Sequence, residues 1–244
     1  MDALATTDDS LLGGRVRLRQ PAQGYRVAID PVFLAAAIPA GPGSRTLELG
    51  AGVGAASLCL AARVSDAAIV GIELLEPVVE LARSNVRDNA LEGRVEVRRG
   101  DVRDPLPAAT FDHAMANPPY LEAGRGRRSP NALKYTAHIE GDADLKAWVE
   151  AAFRAVRPGG TVTFIHRPER LAQLTGLLGA GGGGTVVFPL WARAGADATR
   201  VLVQSTKGSR GPARLAAGLV LHGPDGAYST AAEAVLRQGL GLEL

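Results

Sequence analysis

Two short stretches hold residue types whose spacing could do chemistry. Glu48-Leu49-Gly50-Ala51-Gly52-Val53-Gly54 puts three alternating glycines directly after a carboxylate. Asn117-Pro118-Pro119-Tyr120 puts an amide, two ring-locked residues and an aromatic ring in a row. Glycines at that density let a backbone turn tightly and come close to a ligand. Glu73 stands 19 residues beyond Gly54. A carboxylate at that distance can accept hydrogen bonds from ribose hydroxyls.

Spacing alone fits a nicotinamide dinucleotide as well as other nucleoside cofactors. Glu48 separates them. A carboxylate just before the turn repels a pyrophosphate but can hold a cationic amine, which points to S-adenosylmethionine. Asp101 in Gly100-Asp101-Val102 could accept from an adenine amine or hold a loop. The expected cofactor set is therefore Glu48, Gly50, Ala51, Gly52, Gly54, Glu73 with its neighbour Leu74, Asp101 with its neighbour Val102, and Asn117.

The prolines of the second stretch bar both helix and central strand, so they fix the direction of the chain. The Asn117 amide oxygen and the Pro118 carbonyl are then two acceptors near one point. An exocyclic NH2 has two hydrogens to give them. Those bonds would draw the nitrogen lone pair out of ring conjugation and make it nucleophilic without a strong base. Tyr120 is placed to stack on the flat group carrying that amine. Asn117, Pro118 and Tyr120 are the expected catalytic residues.

Positioning these stretches requires strand ends. Short apolar runs at 45–49, 68–72, 95–98, 111–116, 161–165, 185–190 and 200–205 read as seven strands. Helical patterns fall at about 53–63, 77–89, 143–156 and 169–178. The alternation predicts a Rossmann-like α/β fold, with a seven-stranded, mostly parallel sheet and helices on both faces. Only about nine residues join the last two strands, too few for a helical crossover, so they should form an antiparallel C-terminal hairpin. Residues 1–40 read as an extension over the cofactor side and 41–244 as the catalytic domain. The extension would hold a hairpin of Gly13–Leu18 with Gly24–Val27 and a short helix at Pro31–Ile38. Residues 215–221 could add a strand and Thr230–Gln238 a small helix.

The 244 residues are 46% hydrophobic and 21% charged, ordinary for a globular protein. One cysteine, Cys59, excludes an internal disulfide, and four scattered histidines give no metal site. Asp2, Asp8 and Asp9 stand where a secretory leader needs basic residues, and no run reads as a membrane span. A cytoplasmic protein, monomeric or a weak homodimer, is expected.

Net charge is +2, but residues 123–244 hold 15 basic against 9 acidic side chains. Arg125, Arg127, Arg128 and Lys134 form one cluster, and Arg193, Arg200, Lys207, Arg210 and Arg214 another. Such clusters suit a polyanion such as RNA. Arg125, Arg127, Arg128, Lys134, Arg193 and Arg210 are the expected substrate contacts, with His166 a further candidate. Arg15, Arg17 and Arg19 alternate with Val16 and Leu18, the signature of a half-buried strand with a basic outer face.

The two motifs together resemble class I S-adenosylmethionine-dependent methyltransferases that methylate amines. The nearer resemblance is to the bacterial tRNA (valine) adenine-N6 methyltransferase family. Leu12-Gly13-Gly14-Arg15-Val16 through Gln20-Pro21, Gly24-Tyr25-Arg26 and Asp30 carry it, with Phe164-Ile165-His166-Arg167 and Lys207-Gly208. That resemblance implies N6-methylation of adenine in tRNA, no metal, and Asp30 near the cofactor. Two alternatives stand beside it. Methyltransferases of the release-factor glutamine amide share the Asn-Pro-Pro-Tyr turn but usually carry a helical N-terminal domain. A non-catalytic cofactor-binding RNA protein would not need Asn117 and Tyr120. Cys59 reads as core, and His113 as a residue that packs or pairs locally.

Overall fold

A computed structural model describes residues 5–23, 26–119 and 144–244. Tyr120, Arg125, Arg127, Arg128 and Lys134 lie outside the described residues.

A mixed sheet carries the core. Its parallel part is β3 (Arg45–Leu49), β4 (Ala68–Glu73), β5 (Val95–Arg99), β6 (Phe111–Ala116) and β7 (Val156–His166). The hairpin of β8 (Gly182–Trp191) and β9 (Ala198–Lys207) joins through β9, which runs antiparallel to β7. The order across the sheet is β5-β4-β3-β6-β7-β9-β8. Chain order reverses at β3, since β4 lies on one side of it and β6 on the other. Open α/β sheets bind ligands in the crevice beyond the strand ends at such a switch point.

Each strand sends alternate side chains to opposite faces, and each face has its own apolar core. Helices α1 (Asp30–Ala36), α2 (Ala55–Arg63) and α3 (Glu76–Asp88) cover one face. Helices α4 (Leu145–Ala155) and α5 (Leu171–Gly181) cover the other. Leu47 and Leu49 face the second cluster, so Glu48 between them faces α2. Phe33 and Phe164, fully buried on opposite faces, each contribute about 1.5–3 kcal/mol of burial free energy.

Basic side chains close several helix C-termini, where orphan carbonyls and the negative dipole end favour cations. Arg63 donates to Ala35 O of α1 at 3.1 Å. Arg94 donates to Ala61 O and Val64 O at the end of α2, at 3.0 and 3.2 Å. Lys207 donates to Phe153 O and Val156 O at the end of α4, at 2.6 and 2.7 Å. Lys207 therefore serves the fold, not the basic surface expected of it.

The N-terminal hairpin exists, but its partner strand differs from the expected one. β2 (Val16–Pro21) pairs with β1 (Thr6–Leu11); Gly24 and Tyr25 of the expected partner lie outside the described residues. β1 is the polar run Thr-Thr-Asp-Asp-Ser-Leu, which carries no hydrophobic alternation to reveal it. It is held by its backbone ladder with β2, by Asp9, which accepts from Gln20 Nε2 at 2.7 Å, and by the tight turn at Leu12–Gly14. The inward residues Val16, Leu18 and Gln20 are buried, as the alternation predicted.

Among the described residues the sheet also has nine strands, where seven were expected. The two extra ones, β10 (Arg214–Leu215) and β11 (Leu219–Val220), run parallel to β8 along its outer edge. Residues 216–218 separate them. At Gly218 a Cβ would lie 2.2 Å from Pro189 O, so no side chain fits where the chain passes β8. A last helix, α6 (Thr230–Leu236), is capped by Ser229, which accepts from Ala232 N at 3.2 Å.

Candidate active site

Register places the two motif stretches side by side. Leu49 pairs with Ile72 of β4 and with Ala116 of β6. One residue further along the three strands stand Gly50, Glu73 and Asn117. Glu73 in turn pairs with Arg99 of β5, so Gly100 and Asp101 follow at the same edge. The parallel ladder thus gathers the glycine loop, both downstream acids and the Asn-Pro-Pro turn at one end of the sheet.

Gly50, Gly52 and Gly54 all have positive φ, at 65°, 54° and 86°, a region that side chains with a Cβ disfavour. Gly50 carries a second constraint. A Cβ on it would lie 2.5 Å from the ring of Trp148 on α4. Trp148 is only 8% exposed and buttresses the loop from the second core. Gly52 is different, because a Cβ built there meets nothing within 4 Å. The loop is therefore packed tightly on one side and open on the other, the shape a ligand cradle needs.

Glu73 holds that loop. Its Oε2 accepts from Gly52 N at 3.0 Å and its Oε1 from Leu75 N at 3.0 Å. Each carboxylate oxygen has two acceptor sites, so capacity remains for two hydroxyl donors. Leu74 beside it is 49% exposed, an apolar surface at the rim. Val102 is buried. Asp101 accepts from Arg103 Nε and Nη2 at 3.0 and 2.7 Å, and these bonds first of all hold its pKa below the usual carboxylate value. The structure thus gives Asp101 a loop-holding role at the place expected for an adenine-side acid.

Glu48 is 3% exposed. Its Oε2 accepts from Ser57 N at 2.9 Å and from the Ser57 hydroxyl. Gly54 precedes α2 and has no side chain to cap it, so Glu48 supplies the acceptor from the neighbouring strand. Sequence reasoning missed this partner. Burial pushes the Glu48 pKa from 4.5 to about 8; the Ser57 bonds oppose that and the charge of Glu73 adds to it. Between those values the folded chain binds more protons than the unfolded one, so this group makes stability fall as pH rises. His166 acts in the opposite sense below its ordinary value of 6.5, since burial lowers it to about 4. Above 6.5 the Glu48 contribution is left in view. Urea denaturation from pH 6.5 to about 8 should show declining stability in the native chain and a flatter profile in Glu48→Gln. Equal slopes would mean that Glu48 is ionised throughout.

The remaining expected residues separate. Asn117 is half-buried and Pro118 buried at the end of β6. Asp30, buried at the start of α1, accepts from Arg200 Nε at 2.9 Å. Arg200 precedes Val201, which pairs with His166, so Asp30 lies at the β7–β9 end of the same edge. His166 is fully buried, its Nδ1 accepting from Arg167 N at 2.8 Å. His113 bonds Thr161 locally at 2.9 Å, as read from its place in β6. Arg193 is exposed in the β8–β9 turn, at the cofactor edge. Arg210 follows β9 at the other end and lies against Gly183. The structure does not bring Arg210 to the site, because the two ends of one hairpin lie on opposite edges of the sheet. Among the described residues no group of three or more His, Cys, Asp or Glu could hold a metal, and no helix is long and apolar enough to cross a membrane.

A Rossmann-like sheet with a glycine cradle at its switch point and an acid closing the next strand has the architecture of a class I S-adenosylmethionine-dependent methyltransferase. S-adenosylmethionine is its cofactor, and the open side of Gly52, the Glu73 carboxylate and the exposed Leu74 fit it. Comparison with known proteins agrees. Residues 27–133 match the "Methyltransferase small domain" family. A tRNA1(Val) (adenine(37)-N6)-methyltransferase of Aeromonas salmonicida is 31% identical over 208 residues, 84% of this chain and 85% of that protein. The enzyme of the same name from Tolumonas auensis is 31% identical over 158 residues, 64% of this chain and 65% of that protein. Among solved structures, a predicted O-methyltransferase from Agrobacterium tumefaciens superposes with a TM-score of 0.74 at 27% identity, over 88% of this chain and 98% of that one. The chain belongs to the methyltransferase family that includes the tRNA1(Val) (adenine(37)-N6)-methyltransferases.

Proposed function

We propose that this protein methylates the exocyclic N6 of an adenine base in tRNA. The observation that carries the reading is the register that sets the Asn117-Pro118 turn beside Gly50 at the switch point of the sheet. When bound, S-adenosylmethionine supplies an electrophilic methyl carbon on a cationic sulfur. On this reading Glu73 accepts the ribose hydroxyls, Leu74 lies against the adenine of the cofactor, and Asp101 with Val102 closes that side. Gly50, Ala51, Gly52 and Gly54 line the methionine side, with Glu48 behind them.

The chain's own groups then act on the target amine. The Asn117 side-chain oxygen and the Pro118 carbonyl accept its two hydrogens, which keeps the nitrogen lone pair out of the ring. Tyr120 supplies a stacking face. An amide is too weak a base to keep the proton released after transfer, so that proton leaves to water. Arg193, at the edge where Asn117 stands, would meet phosphates, and so would Arg125, Arg127, Arg128 and Lys134. His166 is buried, and its role is to brace the end of β7. On this reading residues 1–40 serve as an extension on the cofactor side of a catalytic domain at 41–244, to which β2 is tied by its bonds with α3.

The test is direct. Unmodified tRNA incubated with the protein and S-adenosylmethionine should yield N6-methyladenosine on nucleoside mass analysis. A parallel reaction with peptide release factor should leave its glutamine unmodified. Methylglutamine in the second reaction, with none of the modified base in the first, would replace this reading with the protein-amide one.

A further inference from the structure

Asn85 of helix α3 and Asn89, which caps its end, stand one turn apart against the free edge of β2. Asn89 Oδ1 accepts from Arg17 N at 2.9 Å, and its Nδ2 donates to Arg17 O at 2.8 Å. Asn85 Oδ1 accepts from Arg19 N at 2.8 Å, and its Nδ2 donates to Arg19 O at 2.8 Å. The geometry works because the two repeats match. Two residues of strand rise about 6.6 Å and four residues of helix about 6 Å. Alternate residues of β2 thus meet successive helical amides, which stand in for a third strand. The Arg19–Asp88 ion pair reinforces the docking from the same helix.

Asn85 does one thing more. Its second N–H donates to Val53 O at 3.0 Å, between Gly52 and Gly54 of the cofactor loop. The side chain is fully buried and gives both of its donors to these two carbonyls. No bond of Asn89 reaches the loop; its third bond goes to Asn85 O at 2.7 Å.

We infer that Asn85 is a positioning residue for the cofactor loop, tying the Val53 carbonyl to the N-terminal hairpin so that β2 sets cofactor affinity without touching the cofactor. The inference rests on the cofactor assignment and not on the nature of the methyl acceptor. A glycine-rich loop has much backbone freedom to lose on binding. A buried tether removes part of that freedom beforehand, and preorganised sites bind more tightly.

Asn85→Ala and Asn89→Ala separate this role from plain support of the fold. Each loses three hydrogen bonds on one face of one helix. Both should lower the melting temperature of the free chain. Only Asn85→Ala should weaken S-adenosylhomocysteine in calorimetric titration, by about tenfold, the size of one buried hydrogen bond. If Asn85→Ala does not fold, Asn85→Asp carries the same comparison against Asn89→Asp, since it keeps the acceptor for Arg19 N but has no N–H for Val53. Unchanged affinity in the Asn85 variant, or an equal loss in the Asn89 variant, would overturn the inference. The titration contains no RNA, so its outcome is independent of whether adenine in tRNA is the acceptor. Absence of binding to the unaltered chain would instead count against the cofactor assignment.

Discussion

Asn117→Ala is expected to reduce methyl transfer by roughly 10²- to 10³-fold in single-turnover assays at saturating cofactor and tRNA, with cofactor affinity nearly unchanged. On the proposed mechanism the asparagine oxygen holds one hydrogen of the target amine. As the nitrogen becomes tetrahedral and partly positive, that hydrogen bond strengthens. The lost energy therefore belongs to the transition state and appears in the rate, not in ground-state binding. A charge-assisted bond of this kind is worth about 2–4 kcal/mol in a water-excluded site. Asn117 stands one residue past the last β6 pair, so an alanine there leaves the ladder intact. Tyr120 offers the complementary comparison. Tyr120→Ala removes a stacking face worth roughly 1–3 kcal/mol per base and should weaken tRNA as well as slow transfer. Tyr120→Phe keeps the face and should stay substantially active. Near-normal chemistry in Asn117→Ala, or a Tyr120→Phe variant as inactive as Tyr120→Ala, would remove the amine clamp from the mechanism.

Glu73→Ala should weaken cofactor binding by about 10- to 10²-fold, the cost of losing charged hydrogen bonds to the ribose. The structure adds a second reason for a large effect. The same carboxylate accepts from Gly52 N and Leu75 N. Its removal therefore frees the cradle as well as the hydroxyl acceptors. Glu73→Gln keeps one oxygen acceptor and should fall between the alanine variant and the native chain. Calorimetric titration with S-adenosylhomocysteine reads the series directly. Equal affinity in Glu73→Ala and the native chain would place Glu73 outside the site.

The placement of these residues at one edge was legible because β-strand periodicity and chain punctuation are local. Runs such as Arg45–Leu49 and Phe111–Ala116 are rich in apolar residues and are followed within two residues by glycine or proline. A parallel sheet must then put the residues after its strands on a common edge. Glu48, Glu73, Asp101 and Asn117 follow from that rule, as does the hairpin of β8 and β9 from its short connection. Strand β1 was not legible, because its polar side chains carry no periodic signal and its pairing is made by backbone and register. The division of 215–221 into β10 and β11 is not legible either, since the close approach of Gly218 to Pro189 O is made across the sheet edge.

Charge was the least transferable signal. Arg193, Arg200, Lys207 and Arg210 are near one another in sequence, yet an extended hairpin sends them to different surroundings. Arg200 pairs with Asp30, Lys207 closes α4, and Arg193 and Arg210 go to opposite edges. By itself the sequence determined the fold class and the glycine loop and pointed to the residues proposed for the chemistry, because each depends on spacing within a few neighbouring residues. Only the tertiary structure decided which acids bind their own chain, that Ser57 caps onto Glu48, that Trp148 seats Gly50 and that Asn85 links β2 to Val53. Those contacts join elements far apart in sequence, and no local pattern encodes which distant donor will fill a buried acceptor.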